Sequence, residues 1–257
     1  MLWTVFRNLP FEERIEKVAS AGYRAVELGD EFSGWSKEDF RRMNSKRRSL
    51  EMTFNTITGS ERSLVDPSER EAFLADIRNS LKIAERLECP TMIVLSGNTI
   101  SGMTREAQHE SIVEGLKWAA KVVEGKGVTV LLENIDLEEN PNYFLWSVLE
   151  GLQIIGEVNH PQIKFLYDFF HAQISGGNLI ANLQKGIAHV GGVHIADVPG
   201  RHEPGTGEIN YSSIYKKLAE LRFAGYVAME YLPTLEPVKS LRIARDEALQ
   251  AAQTVRK

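Results

Sequence analysis

Glu133, Asp168, His194 and Glu230 each close a short apolar run: Val128-Thr-Val-Leu-Leu-Glu133, Ile163-Lys-Phe-Leu-Tyr-Asp168, Val190-Gly-Gly-Val-His194 and Val227-Ala-Met-Glu230. They lie about 26 to 36 residues apart, roughly one strand-plus-helix unit each. Taken singly, such a carboxylate often caps the next helix. Three carboxylates and an imidazole brought to one place would repel one another unless a divalent cation sat among them. That donor mix suits Mn²⁺, Mg²⁺ or Co²⁺ and leaves coordination positions for substrate oxygens. A closed structural zinc site would ask for cysteines or more imidazoles.

A divalent ion chelated by the adjacent hydroxyl and carbonyl oxygens of a sugar acidifies the C–H between them. One group must then take that proton and another must return one. Glu133 and Glu230 are the candidates for this pair, because Asp168 and His194 fall between them in strand order and serve as ligands. Further residues fill out the expected pocket. His171, three residues after Asp168, begins the loop leaving that strand and donates to a substrate hydroxyl, or else is a helix N-terminal residue in solvent. Arg201 lies in the long polar loop Asp197-Val-Pro-Gly-Arg-His-Glu-Pro-Gly-Thr-Gly-Glu-Ile-Asn210 and is the natural partner of an anionic or hydroxyl-rich substrate. Pro204, Gly205 and Gly207 are expected to shape its backbone. Trp3, Phe6, Trp35 and Phe54 are expected either to wall the pocket or to pack in the core.

These residues need a scaffold that presents strand ends on one side, and the rest of the chain reads as that scaffold. Eight strand-like runs are expected at Leu2–Phe6, Ala25–Leu28, Met52–Ile57, Thr91–Leu95, Val128–Glu133, Ile163–Asp168, Val190–Ile195 and Tyr226–Tyr231. Several are apolar at consecutive positions, as strands buried on both faces are. Helical patterns alternate with them at Phe11–Ala21, Ser36–Ser49, Asp66–Leu87, Thr104–Glu124, Tyr143–Val158, Asn178–Ile187, Ser212–Arg222 and Pro237–Val255. Gly22 follows the first as a C-cap, and Asp66 with Pro67 opens the third. Strict alternation predicts an α/β fold, a (β/α)8 TIM barrel forming a single domain over residues 1–257. An open doubly wound sheet is the alternative, but no Gly-x-Gly-x-x-Gly follows a strand.

The bulk numbers agree. The 257 residues are 43% hydrophobic and 25% charged, which suits one sizeable core. A net charge of −5, with no basic run longer than Lys46-Arg47-Arg48, argues against a nucleic-acid partner. That triplet reads as a solvated helix end. The single cysteine, Cys89, excludes an internal disulfide and reads as a buried structural thiol. No stretch is apolar enough to predict a membrane span, and no leader is read at Met1. The expectation is a cytoplasmic protein, unless a leader precedes this sequence, with a small-molecule partner and room for homo-oligomers.

The chain resembles the xylose-isomerase-like barrel superfamily of sugar isomerases and epimerases, from about Glu12 to the end and most densely between Val128 and Tyr231. Within it, Arg201-His-Glu-Pro-Gly-Thr-Gly-Glu-Ile-Asn-Tyr211 and Tyr167-Asp-Phe-Phe-His-Ala-Gln173 resemble hydroxypyruvate isomerases. The resemblance implies one divalent metal ion on Glu133, Asp168, His194 and Glu230, with the two glutamates moving protons. It also implies substrate contacts from His171 and Arg201, and from Glu139 as in ketose 3-epimerases. Two positions depart from hydroxypyruvate isomerases. His194 stands where they carry Gln, and Glu133-Asn134-Ile-Asp136 stands where they read Glu-Pro. The expected activity is isomerisation of a small hydroxycarbonyl compound, a sugar or a hydroxy-keto acid. A ketose 3-epimerase and a metal-dependent dehydratase of the same superfamily are the alternatives. An abasic-site nuclease would need more histidines than the six present and a basic groove. A sugar-binding barrel without turnover would not need both glutamates.

Overall fold

A computed structural model describes residues 1–255; the last two residues of the expected 1–257 domain lie outside them. The described chain forms two compact units, Thr56–Val193 and Met1–Asn55 with His194 onward. Their boundaries fall inside two strands.

In the first unit the strands are β2 (Thr53–Ser60, entered at Thr56), β3 (Thr91–Leu95), β4 (Thr129–Glu133), β5 (Ile163–Asp168) and β6 (Val190–Ile195, left at Val193), neighbours in that order. β3 and β4 are parallel in a register that pairs Leu95 with Glu133, and β4 with β5 in one that pairs Glu133 with Leu166. β5 runs on to Asp168, so both carboxylates lie at carboxyl ends of neighbouring strands. Between strands run α3 (Arg70–Leu87), α4 (Arg105–Val123), α5 (Val148–Val158), α6 (Phe169–Ser175) and α7 (Leu179–Gly186). Asp66 caps the turn that leads into α3, with Pro67 at its first position, as expected. α3 buries Phe73, Leu74, Ile77, Ala84 and Leu87 on one stripe. Cys89 is buried beyond its end. β6 can lie close to its neighbours only because Gly191 lacks a side chain. A Cβ there would come within 2.8 Å of Leu131 and Lys164.

The second unit holds α1 (Phe11–Ser20), β1 (Ala25–Glu27), α2 (Lys37–Ser49), α8 (Tyr211–Glu220), β7 (Tyr226–Met229) and α9 (Pro237–Gln253), with the start of β2 and the end of β6. Ser36 and Asp39 form a capping box at α2, two otherwise orphaned donors satisfied reciprocally. Phe54 is fully buried, and Trp35 packs edge-on against Phe11 and Phe40. Arg47, expected in solvent, is buried: its Nε donates to Asn44 Oδ1, and its guanidinium lies over the Phe54 ring.

The expected strand at Leu2–Phe6 is absent. That segment is a run of turns, with Phe6 at a positive φ of 58°. Only two backbone bonds survive of the ladder, Met1 N to Met229 O at 2.9 Å and Leu2 N to Glu27 O at 3.2 Å. The described chain therefore has seven strands rather than eight. The helix expected from Tyr143 begins instead at Val148, capped by Ser147, because Tyr143 is drawn into a bridge with Asn98. An unexpected short helix, α6, follows β5 directly.

Candidate active site

In Thr56–Val193, Glu133 and Asp168 are both buried. Tyr143, also buried, accepts from Ser96 N at 2.9 Å and donates to Glu133 O at 3.2 Å, which fixes the end of β4. Burial pushes this phenol well above its ordinary pKa, so it stays a donor. Asn134 bridges to β5 through both halves of its amide: Nδ2 donates to Asp168 O and Oδ1 accepts from Asp168 N. Asp168 Oδ1 caps α6, accepting from Phe170 N at 2.7 Å and His171 N at 3.2 Å. The helix cap thus uses Oδ1 of this carboxylate.

His171 belongs to the first turn of α6 and is buried, not in a loop or in solvent as expected. Its Nδ1 lies 2.5 Å from Asp136 Oδ2, and its Nε2 lies 3.6 Å from Asp168 Oδ2. Asp136 is fully buried and ionised: burial raises its pKa, but the His171 hydrogen bond and the backbone donors of Glu139 and Glu138 outweigh it and hold it down. Glu139 is exposed, with a carboxylate oxygen within 4.8 Å of ligand atoms of Asp136 and His171.

In the other unit, His194 and Glu230 are both buried. His194 Nε2 lies 3.1 Å from the carboxylate of Glu27, itself buried at the end of β1. Burial pushes Glu27 up, yet the His194 imidazole overcomes this and holds it below the usual carboxylate range. With Nε2 so engaged, Nδ1 is turned to Glu230 Oε2, 2.6 Å away. Glu230 N donates to Ile195 O, which sets the strand end. Glu230 Oε1 accepts from Trp3 Nε1 at 2.7 Å. Arg201 is buried too: Nη2 lies 3.1 Å from Glu230 Oε2 and the guanidinium lies over the Trp3 ring at 5.3 Å. Burial alone would raise the Glu230 pKa, but His194, Arg201 and Trp3 hold it far below the ordinary value. Arg201, expected as the partner of an anionic or hydroxyl-rich substrate, therefore has an anion of the protein against it.

Its loop is held by Asp197, whose carboxylate accepts from the backbone of Val198, Gly205, Gly207 and Ile209 at 2.9–3.0 Å. A Cβ on Gly207 would stand 2.0 Å from Val198 O, so the turn requires glycine. Glu203 ties the loop to Thr234 and Leu235.

The donor chemistry fits a divalent cation. Glu133, Asp168, His194 and Glu230 each offer a metal-competent atom and each is buried. The His194 Nδ1–Glu230 Oε2 contact is as short as a strong hydrogen bond but lacks hydrogen-bond geometry. Two metal-competent atoms this close together suit two ligands of one ion.

Glu27, Asp136, Asn134 and the indole N–H of Trp3 went unforeseen. Glu27 carried the signal used elsewhere, a carboxylate closing an apolar run, in Ala25-Val-Glu27. Asp136 and Asn134 carried none, since their partners are 35 and 34 residues away.

Comparison with known proteins finds isomerases among the relatives of this chain. The chain is 31% identical over 236 residues to the 2-oxo-tetronate isomerase of Pectobacterium atrosepticum, covering 89% of each protein. It is 29% identical to the hydroxypyruvate isomerase of Escherichia coli K12, covering 93% of this chain and 94% of that one. The crystal structure described as AP endonuclease, family 2, from Brucella melitensis superposes with a TM-score of 0.83 at 30% identity, covering 93% of each chain. A D-psicose 3-epimerase from Clostridium cellulolyticum H10 shares the fold, with a TM-score of 0.79 at 23% identity and 96% and 94% coverage. Relatives that are isomerases support an enzyme. With the model of the xylose isomerase-like TIM barrel matching residues 15–252, the chain belongs to that family.

Proposed function

We propose that this protein is a divalent-metal-dependent isomerase of a small 2-oxo-3-hydroxy acid, with hydroxypyruvate as its test compound. The observation that carries the reading is the buried His194–Glu230 pair, 2.6 Å apart without hydrogen-bond geometry. The family fold supports extending that pair to four ligands. In TIM barrels the carboxyl ends of the strands open on one mouth, and Glu133, Asp168, His194 and Glu230 all occupy such ends. These four would hold the ion. When bound, it supplies Lewis-acid polarisation of the substrate carbonyl.

The protein's own groups then move the protons. One of Glu133 and Glu230 takes the proton from the hydroxymethyl carbon, and the other delivers one to the neighbouring carbon. Both are buried, so bulk water competes little for these protons. Glu27 keeps His194 turned toward the site, and Trp3 and Arg201 keep Glu230 ionised and in place. The relatives that act on 2-oxo-tetronate and hydroxypyruvate favour an acid substrate. Among the described residues no helix is long and apolar enough to cross a membrane. The net charge of −5 opposes a nuclease reading.

A ketose 3-epimerase is the second reading, favoured by an imidazole at position 194. Product analysis with hydroxypyruvate and with several ketoses, each with Mn²⁺, decides between them. Metal-replete Glu133→Gln and Glu230→Gln proteins should each lose more than about a hundredfold in turnover. Parental turnover by either would remove that residue from proton transfer.

A further inference from the structure

A 2-oxo acid brings a negative charge to a place already rich in carboxylates. In the unit that holds His194, Glu27 and Glu230 are both buried. Arg201, the buried cation beside them, has its Nη2 3.1 Å from Glu230 Oε2, so its charge answers an anion of the protein. An acid substrate therefore calls for a second cation, one held in place and without a carboxylate of its own.

The segment that fails to form the first strand supplies it. Trp3 donates its indole N–H to Glu230 Oε1 at 2.7 Å and leaves its side chain partly exposed. Two guanidinium groups lie over the indole, that of Arg201 at 5.3 Å and that of Arg7 at 5.2 Å. Arg7 is fixed at several points. Its Nε donates to Trp3 O at 2.5 Å, and its own carbonyl accepts from Arg14 Nη2 at 2.8 Å. Leu9 N donates to Phe6 O at 2.9 Å, closing a turn around it. The left-handed Phe6, at a φ of 58°, breaks the extended path and lets the Arg7 side chain fold back onto Trp3.

One edge of Arg7 stays unused. Among the described residues, neither Nη1 nor Nη2 of Arg7 has a hydrogen-bond or ion-pair partner, although Nε and the guanidinium face are both engaged. Arg14 differs: its Nε donates to Leu9 O, its Nη2 to Arg7 O, and its Nη1 lies 3.8 Å from Glu31. Paired Nη donors match the two oxygens of a carboxylate. A guanidinium already stacked on an indole and bonded at Nε loses little freedom in binding one.

We infer that Arg7 is a specificity-determining residue that receives the carboxylate of the substrate, with Trp3 as its positioning residue. The inference rests on the isomerase reading and deepens it: the site selects a 2-oxo acid over a neutral ketose of the same length. One indole serves two tasks, holding Glu230 at its N–H and the acid-binding cation at its face. Arg7 moves no proton, so its contribution falls on KM.

The test compares hydroxypyruvate with dihydroxyacetone, which carries a hydroxymethyl group in place of the carboxylate and can undergo the same isomerisation. Kinetics are measured with Mn²⁺-loaded parent, Arg7→Gln and Arg7→Lys proteins. Arg7 is exposed, so both variants should fold. Arg7→Gln should lower kcat/KM for hydroxypyruvate about 10–100-fold, mostly through KM, the range of hydrogen bonds to a charged group. The value for dihydroxyacetone should change by less than about twofold. Arg7→Lys, which keeps the charge without the paired donors, should recover part of the loss. An equal loss for both compounds would reduce Arg7 to a support for Trp3, and an unchanged KM for hydroxypyruvate would send its carboxylate elsewhere; either overturns the inference. Where the parent converts hydroxypyruvate alone, a loss in kcat without one in KM overturns it. A parent that converts neither compound would instead remove the isomerase reading beneath it.

Discussion

Replacing Glu27 by Gln tests whether the His194 imidazole is aimed by a carboxylate. The two side chains are buried and 3.1 Å apart, and the contact engages Nε2, leaving Nδ1 directed at Glu230 Oε2. Gln has the same shape and keeps a carbonyl oxygen for Nε2–H, so the change removes charge and little else. Partners of a ligating histidine typically contribute 10–100-fold in metal affinity. Because an acceptor remains, the loss should fall near the lower end, about ten- to thirtyfold, or roughly 1.4–2 kcal/mol. Glu27→Ala should be worse, since it strands a buried N–H at a cost of about 1–3 kcal/mol in fold stability. The assay is calorimetric titration of the metal-stripped proteins with Mn²⁺, with circular dichroism to verify folding. A folded Glu27→Gln protein binding Mn²⁺ within about twofold of the parent would refute both the aiming role and the placement of His194 Nδ1 as the ligand atom.

Arg201→Ala should lower Tm by about 3–8 °C, because a buried guanidinium is lost from Glu230 and from the Trp3 face. The loss in kcat/KM should be similar for hydroxypyruvate and for a neutral ketose; a loss confined to the acid would make Arg201 a direct carboxylate binder. Glu203 has its pKa raised by burial and, more strongly, lowered by the donors of Thr234 and Leu235, so the net shift is down. Its stabilisation is therefore present above the unfolded carboxylate value of about 4.3 and is lost as pH falls through the lower folded value. Glu203→Gln should melt a few degrees below the parent at pH 7, and the gap should close on acidification; a gap independent of pH would contradict this.

The four strand-end residues were legible because burial and strand polarity leave a period in the sequence: an apolar run, then a charge, then a helix. The same rule mis-assigned Leu2–Phe6. Its residues have strand propensity, but Phe6 takes a left-handed conformation and Trp3 points its indole N–H at Glu230, so the backbone follows the side chain rather than the ladder. His171 was misplaced because Asp168 caps α6 with the residue that also ends β5, leaving no loop between them. The burial of Arg201 could not be read because nothing local reveals that residue 230 lies against it. Glu27 follows the same rule, but its apolar run, Ala25-Val26, is too short to stand out. Pairings such as Asp136 with His171 depend on tertiary distance alone.

The Asp197 staple has a consequence for how this protein can diverge. One carboxylate fixes the backbone of a turn running from Val198 to Ile209 through four amide hydrogens, and none of those four bonds involves a loop side chain other than Asp197 itself. The path of the chain thus depends little on which side chains the turn carries outward. The loop behaves as a fixed mount with interchangeable fittings. New substrate preference can be explored there by single substitutions, whether by natural drift or in the laboratory, while Asp197 and Gly207 stay constant.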